Sequence, residues 1–495
     1  MNDPESHALV TVIVDGSERV TGRDWLISSQ SRGYMTGLDR VKNVLARLGH
    51  PERGLPSIHV AGTNGKGTTC AHLANMLWME GSRVGLFTTP HLCKVEERVR
   101  IDGDIITTEA FDTALEEVRA AAHAPEPIAL SFYEITFLVA LVTFQRMGVD
   151  WAVFETGLGG RLDPTTLVEA ELCIITSIGL DHEEVLGPTL ADIAMEKASI
   201  QRPDIPFVAT LPEDEDVRRV IESVVNYDYG YWVHPAWPEA VSFHDLPEHL
   251  SLVESMMDLP PVVHYSIEAH RLAAHALSVL DPDLLTFETI NASLIQTHWP
   301  GRTPLSEPVL LAHSPGVVMF EAAHNVDGMR RACRDLHSHF IVHGNIEEIF
   351  FPDVIIFGAT QKDDLEDFVE PFLQLLEFLD EPLVILTEPV SGRHPAVSAR
   401  SLQRIFESRS ASCETIVETD PEVAFEKAMS VITPIVAEAR TVTGEDDVHA
   451  LVFIIGSLYL IGDLLPHICD SSDLELDDQL SILQLRPPNL GMLGE

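Results

Sequence analysis

Lysine is scarce in this chain, with six among 495 residues, and all basic residues together number 32 against 77 acidic ones, a formal net charge of −45. A surface so poor in cations repels phosphate backbones and anionic headgroups, which argues against nucleic acid or a membrane surface as partner. Cysteine is also sparse: Cys70, Cys93, Cys173, Cys333, Cys413 and Cys469 are scattered, with no Cys-x-x-Cys spacing. Most lie in apolar surroundings, where a free thiol behaves as a small buried hydrophobe, and a reducing, cytoplasmic setting is expected. No apolar run reaches the roughly 18–20 residues needed to span a bilayer. The opening residues MNDPESHALVTV lack the basic stretch and apolar core of a secretion signal, so none is expected.

What is present is ample core material. Hydrophobic residues make up 45% of the chain, enough for two or three packed domains. The acids run along the whole sequence, with modest clusters at Glu213–Asp216 and Asp470–Asp478. Such a surface suits high salt; a merely acidic protein is the plainer alternative.

The most informative stretch is Val60-Ala-Gly-Thr-Asn-Gly-Lys-Gly-Thr-Thr69. Ile58 and Val60 before it read as a short buried strand, and Ala71, Leu73, Ala74 and Leu77 after it recur at helical spacing. Glycines let the backbone turn tightly around an anion, Lys66 adds a point charge, and the helix start adds free N–H groups. This is a nucleotide triphosphate cradle. The common phosphate loop has Ser or Thr directly after its lysine, whereas Gly67 here separates Lys66 from Thr68.

Residues 1–57 read as a leading segment with a short amphipathic helix on Leu38, Val41, Val44, Leu45 and Leu48. Strands are expected at Ser57–Val60, Arg83–Thr88, Trp151–Glu155, Leu172–Ser177 and Pro206–Ala209, alternating with helices, hence a parallel sheet with ligands beyond its carboxyl ends. Tyr227–Pro261 lacks clear periodicity and reads as an insertion or an irregular loop. His298-Trp-Pro-Gly-Arg302 reads as an interdomain hinge. Beyond it, Gly316–Phe320, Asp353–Phe357, Leu383–Leu386 and Leu451–Ile455 read as strands of a smaller α/β domain. The expected division is 1–300, 301–470 and a loosely held acidic tail, 471–495.

Four further segments accompany the phosphate loop: Phe87-Thr-Thr-Pro-His-Leu92, Val153-Phe-Glu155-Thr-Gly-Leu-Gly-Gly160, Thr176-Ser-Ile-Gly-Leu-Asp-His182 and Glu196-Lys197-Ala-Ser-Ile200. With ERVRID, SFYEITF, GGRLDPTT, HWPGR and AAHNVDG they span about residues 34–365, in one order. In these segments the chain resembles the folylpolyglutamate synthase and dihydrofolate synthase family of the Mur-ligase superfamily. The resemblance implies a P-loop parallel-sheet ATPase domain followed by a smaller Rossmann-like α/β domain. It implies a monomeric ligase that phosphorylates a pteroate or folate carboxylate with ATP and joins L-glutamate to the acyl phosphate.

By the same resemblance, Asn64, Gly65, Lys66, Gly67 and Thr68 would hold ATP phosphates. Thr89, Glu155 and His182 would bind Mg²⁺, two ions being expected. Lys66, His182 and Lys197 would serve catalysis, Lys197 as a carbamate. Ser131, Phe132, Tyr133, Glu134, Leu162, Asp163 and Pro164 would form the pterin end, where aromatic rings can stack and a carboxylate can accept from a 2-amino-pyrimidine edge. Arg302, Glu321, His324 and Asn325 would reach the nucleotide from the smaller domain. The plainer reading of Lys197 is an ion pair with Asp192 or Glu196, and that of Phe132 is core. The departures are Glu321 and Ala322 where the family has Asp-Gly, Thr166 for an Asn, and His270 near an expected ATP-contacting Asn. A Mur-type ligase acting on another carboxylate, and a nucleotide-binding regulator without turnover, are the competing readings.

Overall fold

In the computed structural model the described residues are 21–233, 265–302, 309–310, 316–343, 352–379, 382–392, 394–409, 411, 413–444, 450–472 and 474–482. Two sheets organise them. The first contains β1 (Ser57–Ala61), β2 (Val84–Phe87), β3 (Val99–Ile101), β4 (Asp104–Ile105), β5 (Trp151–Glu155), β6 (Ala170–Ile175), β7 (Phe207–Thr210) and β8 (Gly230–Val233), in spatial order β4-β3-β2-β5-β1-β6-β7-β8. All pairings from β2 to β8 are parallel, and β3 and β4 add an antiparallel edge. The second contains β9 (Val309–Leu310), β10 (Gly316–Glu321), β11 (Pro352–Phe357), β12 (Leu383–Leu386), β13 (Glu414–Val417) and β14 (Ala450–Ile455), in order β13-β12-β11-β14-β10-β9. There only β9 runs antiparallel.

Both sheets carry apolar clusters on both faces, which is why their strands read as continuous hydrophobic runs. The helix Phe132–Met147 is apolar almost all round, because it lies between the sheet and outer helices. Its Phe137 and Phe144 meet Phe87 and Phe154 at ring-centroid separations of 5.7–5.9 Å. Ser131 and Glu134 close its start as a reciprocal capping box, and Gly148 ends it in the left-handed conformation.

The expected strands are all present, shifted by a residue or two. Two expectations fail. Tyr227–Val233 is not irregular: a 3₁₀ turn leads into β8, whose Trp232 is buried on the sheet edge, while 234–261 fall outside the described residues. The tail is not loose up to Ile482. Helix Leu476–Leu480 buries Leu480 in the smaller domain's core, and Ile482 joins the core of the first sheet. The leucines and isoleucine find apolar partners in both lobes, which outweighs the acidity of their neighbours. Lys94 of the first lobe pairs with Asp477, and His298 N donates to Ile482 O.

Candidate active site

The register of the first sheet sets Val60 beside Glu155 and Ala61 beside Ile175. The carboxyl ends of β1, β5 and β6 therefore stand together, and the segments that follow them face one cleft. After β1 the chain turns through Gly65, φ +83°, into helix Lys66–Met79. Only glycine adopts that backbone without strain, and it aims the first free N–H groups of the helix at the loop. The loop is bolted to the end of β6: Asn64 N donates to Ser177 Oγ at 3.0 Å, and Thr176 Oγ1 and Ser177 Oγ donate to Asn64 O at 2.7 and 3.1 Å. Lys66 Nζ donates to Thr63 O at 3.0 Å. These loop-holding roles of Thr176 and Ser177 are not readable from the motif alone.

Glu155, at the end of β5, is 4% exposed, and its Oε2 accepts from Thr89 N at 2.9 Å. Burial raises its carboxyl to about 7, while Lys66, the Thr89 N–H and Arg98 pull it back and Asp163 adds to the rise. Lys197 is 5% exposed and donates from Nζ to Gly62 O at 2.8 Å. Burial and then the Lys66 charge lower its ammonium to about 7, against Asp181 and Asp163. The ion-pair reading of Lys197 is thereby overturned: Glu196 pairs with Arg161 at 2.7 Å, and Asp192 caps its own helix with Thr189. A lysine inside the protein has left water to reach the phosphate loop.

Thr89 and Glu155 are in contact, whereas His182 stands apart. Its ring nitrogens lie 3.8 Å from Asp181 and 3.6 Å from Glu184, and its backbone is left-handed, φ +53°. Among the described residues no three His, Cys, Asp or Glu side chains converge as a ready metal cage. Glu155 and Thr89 still offer hard oxygen donors beside an anion cradle, which suits Mg²⁺ carried on phosphates.

At the expected pterin end, Phe132 is half-buried, with the Arg98 guanidinium 5.0 Å from its ring centroid. Two carboxylates there already have protein partners. Glu134 accepts from Ser131 N at 2.7 Å and pairs with Arg40 at 2.7 Å, so it serves the helix start. Asp163 accepts from Tyr133 Oη, Thr165 N and Thr165 Oγ1 on one oxygen, and from Gly157 N and Leu158 N on the other. It is the clamp that shapes the glycine turn, and both its oxygens are occupied. Leu162 lies part-buried and Pro164 buried beside it.

From the smaller domain, Asn325 reaches across the cleft: its Nδ2 donates to Asn64 Oδ1 at 3.1 Å and to Asp181 Oδ2 at 3.2 Å. Arg302 and Glu321, both expected at the nucleotide, form an ion pair at 2.8 Å with each other. Glu321 thus meets a cation that a longer arm can reach. Exposed His324 bonds through Nδ1 to Ala322 O at 3.0 Å, and Lys362 Nζ donates to His324 O at 2.6 Å. His270 does not face the cleft loop: it is buried against Ile290 O and Ser293 Oγ, with its ring 5.1 Å from that of His72. Thr166 donates to Gly160 O at 3.1 Å and so supports the glycine turn. Trp299 and Asp181, which lie inside the matching segments but carry no expected role there, both belong to this cleft.

No protein-family model matches the chain. A dihydrofolate synthase/folylpolyglutamate synthase of Bacillus subtilis is 32% identical over 335 residues, covering 64% of this chain and 76% of that protein. A probable bifunctional folylpolyglutamate synthase/dihydropteroate synthase of Haloferax volcanii is 28% identical over 442 residues, 86% of this chain, which spans about half (48%) of that relative. The structure of Escherichia coli FolC in complex with DHPP and ADP superposes with a TM-score of 0.69 at 24% identity, over 91% of this chain and 98% of that one. That likeness shows the fold, an arrangement of two α/β domains.

Proposed function

Because the chain belongs to the dihydrofolate synthase and folylpolyglutamate synthase family, we propose that it joins L-glutamate to a pteroate or folate carboxylate with cleavage of ATP. The observation that carries this reading is the cluster at one sheet end: Lys66 on the phosphate loop, and buried Glu155 and Lys197 around it. A protein that only binds nucleotide has no use for a lysine and a carboxylate both held near neutrality inside the protein.

In this reading residues 64–68 cradle the triphosphate, with the helix start and Lys66 facing the charge that grows as the γ-phosphoryl moves to the substrate carboxylate. A carboxylate oxygen bonds to the γ-phosphorus while the bond to ADP breaks. The glutamate amine then attacks the acyl carbon, and phosphate leaves as the amide forms. Catalysis of this type rests on positioning and on donors fixed before reaction. Glu155 and the Thr89 hydroxyl would hold Mg²⁺, with His182 on the adjoining loop as a further candidate ligand. The ion would neutralise phosphate charge. Lys197 as a carbamate would hold a second ion, since a neutral amine that adds carbon dioxide and loses a proton becomes an anionic oxygen ligand. Phe132, Leu162 and Pro164 supply the apolar wall for the pterin ring, and Arg302 with Glu321 and Asn325 brings the second lobe to the nucleotide.

The test is product mass spectrometry. Purified protein with ATP, Mg²⁺ and glutamate, offered dihydropteroate and a reduced folate separately, is expected to add a glutamate mass to at least one. ATP cleavage with no such product, or no cleavage, overturns the reading. Gain on one acceptor alone also decides between dihydrofolate synthesis and tail extension.

A further inference from the structure

His59 puts an imidazole on an inner strand of the first sheet, between Ile58 and Val60, where it is fully buried. Its neighbours in register are Phe154 on β5 and Cys173 on β6. A polar ring in such a place weakens the core unless it finds hydrogen-bond partners. Nε2 meets two hydroxyls, Thr165 Oγ1 at 2.8 Å and Thr156 Oγ1 at 2.9 Å, which lie 106 and 97 positions further along the chain. Nδ1 has no hydrogen-bond partner among the described residues. These partners fix the tautomer. Thr165 donates its one hydroxyl proton to Asp163 Oδ1 at 2.6 Å, so toward His59 it can only accept. The ring proton is therefore on Nε2, an arrangement that also leaves no buried N–H without an acceptor at Nδ1. Burial, with the Arg202 charge adding to it, lowers the ring to about 3 and keeps it neutral.

His59 thereby joins two pieces of the site. Thr156 directly follows Glu155, where the chain leaves β5 for the glycine turn. Thr165 holds Asp163, which clamps that turn through Gly157 N and Leu158 N. The turn itself has no slack: a Cβ on Gly157 would stand 2.6 Å from Tyr133 Cζ, and one on Gly160 would stand 2.8 Å from Glu196 O. We propose that His59 is a positioning residue for the ligase reaction, its Nε2–H locking the Glu155 end of β5 to the Asp163 end of the glycine turn. With no exposed surface it reaches no ligand itself and acts through Thr156 and Thr165. This rests on the reading of Glu155 as the metal carboxylate and of the 157–163 turn as a wall of the acid pocket. Leucine at this position fills similar space but leaves both hydroxyls facing an apolar side chain. Glutamine carries two amide N–H groups on one nitrogen, one for each hydroxyl oxygen.

The experiment compares full-length wild type, His59→Leu, His59→Gln and Thr156→Val, with kcat and with KM measured separately for the pterin acid and for ATP. His59→Leu is expected to raise KM for the pterin acid and to lower kcat, each by about tenfold, with KM for ATP within about threefold. His59→Gln should bring both back to within about threefold of wild type. A general loosening of the core would disturb ATP as well, and the amide would not repair it. If His59→Leu fails to fold, Thr156→Val decides: it keeps the shape, deletes one hydroxyl, and should raise KM for the pterin acid about fivefold. Unchanged kinetics in folded His59→Leu, or in Thr156→Val where that variant decides, overturns the proposal. So does a parallel rise in KM for ATP, or a folded His59→Gln as poor as His59→Leu. Wild type inactive on every pterin acid overturns instead the functional reading beneath it.

Discussion

The indole of Trp299 lies so tightly over Gly67 that a Cβ there would stand 2.8 Å from Trp299 Cε2 and closer still to Cζ2. The glycine that separates Lys66 from Thr68 thus leaves room for the interdomain hinge. Alanine at a helix position is intrinsically favoured over glycine by about 1 kcal/mol, so harm from Gly67→Ala is expected from displacing the indole. The variant is expected to lose at least about tenfold in kcat/KM for ATP, roughly 1.4 kcal/mol. Adding Trp299→Leu should restore part of that loss. A steady-state titration of ATP checks both.

Lys66→Ala should abolish turnover and leave the fold intact. The side chain is only part-buried and donates to a single carbonyl, so its loss costs little packing. Turnover within about threefold of wild type, under roughly 1 kcal/mol, would disprove the phosphate-loop assignment.

The pH dependence follows from two buried groups. Below about 7 the Glu155 carboxyl is protonated and the Lys197 amine is charged, so neither can serve as an oxygen ligand or take up carbon dioxide. Activity should climb as pH rises through 7. Stability carries the opposite sign for Glu155. Its folded-state value is raised, so the folded chain holds an extra proton between 4.5 and about 7, and stability is lost as pH rises through that window. Glu155→Gln should consequently raise the melting temperature at pH 8 by more than at pH 4.5, while activity disappears. Labelled carbon dioxide should give a carbamate signal by NMR in wild type and none in Lys197→Ala.

Much of this was legible in the sequence for a physical reason. Strands buried on both faces announce themselves as apolar runs, and the cradle, Glu155 and Lys197 sit at their ends. What was not legible depends on contacts distant in the chain. Glu134 and Asp163 are pterin-end candidates by resemblance alone; only the fold shows the contacts that Arg40, Ser131, Tyr133 and Thr165 already make with them. Trp299 over Gly67 and Asn325 on Asn64 join segments more than 200 residues apart, beyond the reach of any local pattern. The acidic tail misled because composition dominates a short segment, whereas two apolar side chains decide where it docks.

That docking predicts a strap between the lobes. Leu480 is buried in one core and Ile482 in the other. Leu480→Ala and Ile482→Ala should each cost about 2–4 kcal/mol in denaturant unfolding, and the pair should increase the spread of interlobe distances seen by scattering. A tail held loosely would give no change in either measurement.

The surface charge leads to a response to salt. With −45 net charge and six lysines, most acids have no cation to pair with. Several arginines are moreover committed to internal contacts, such as Arg40 with Glu134 and Arg302 with Glu321. At about 0.01 M salt the screening length is near 30 Å and the carboxylates repel across the whole molecule; at about 1 M it is near 3 Å and the repulsion is largely gone. Surface ion pairs such as Arg219 with Asp216 weaken over the same range, but each is worth only about 0–1 kcal/mol, and 32 basic residues cannot pair most of 77 acids. Repulsion should therefore dominate, and both melting temperature and activity should rise between about 0.05 and 1 M potassium chloride. A melting temperature that stays flat or falls over that range would show that the acidity is incidental to stability.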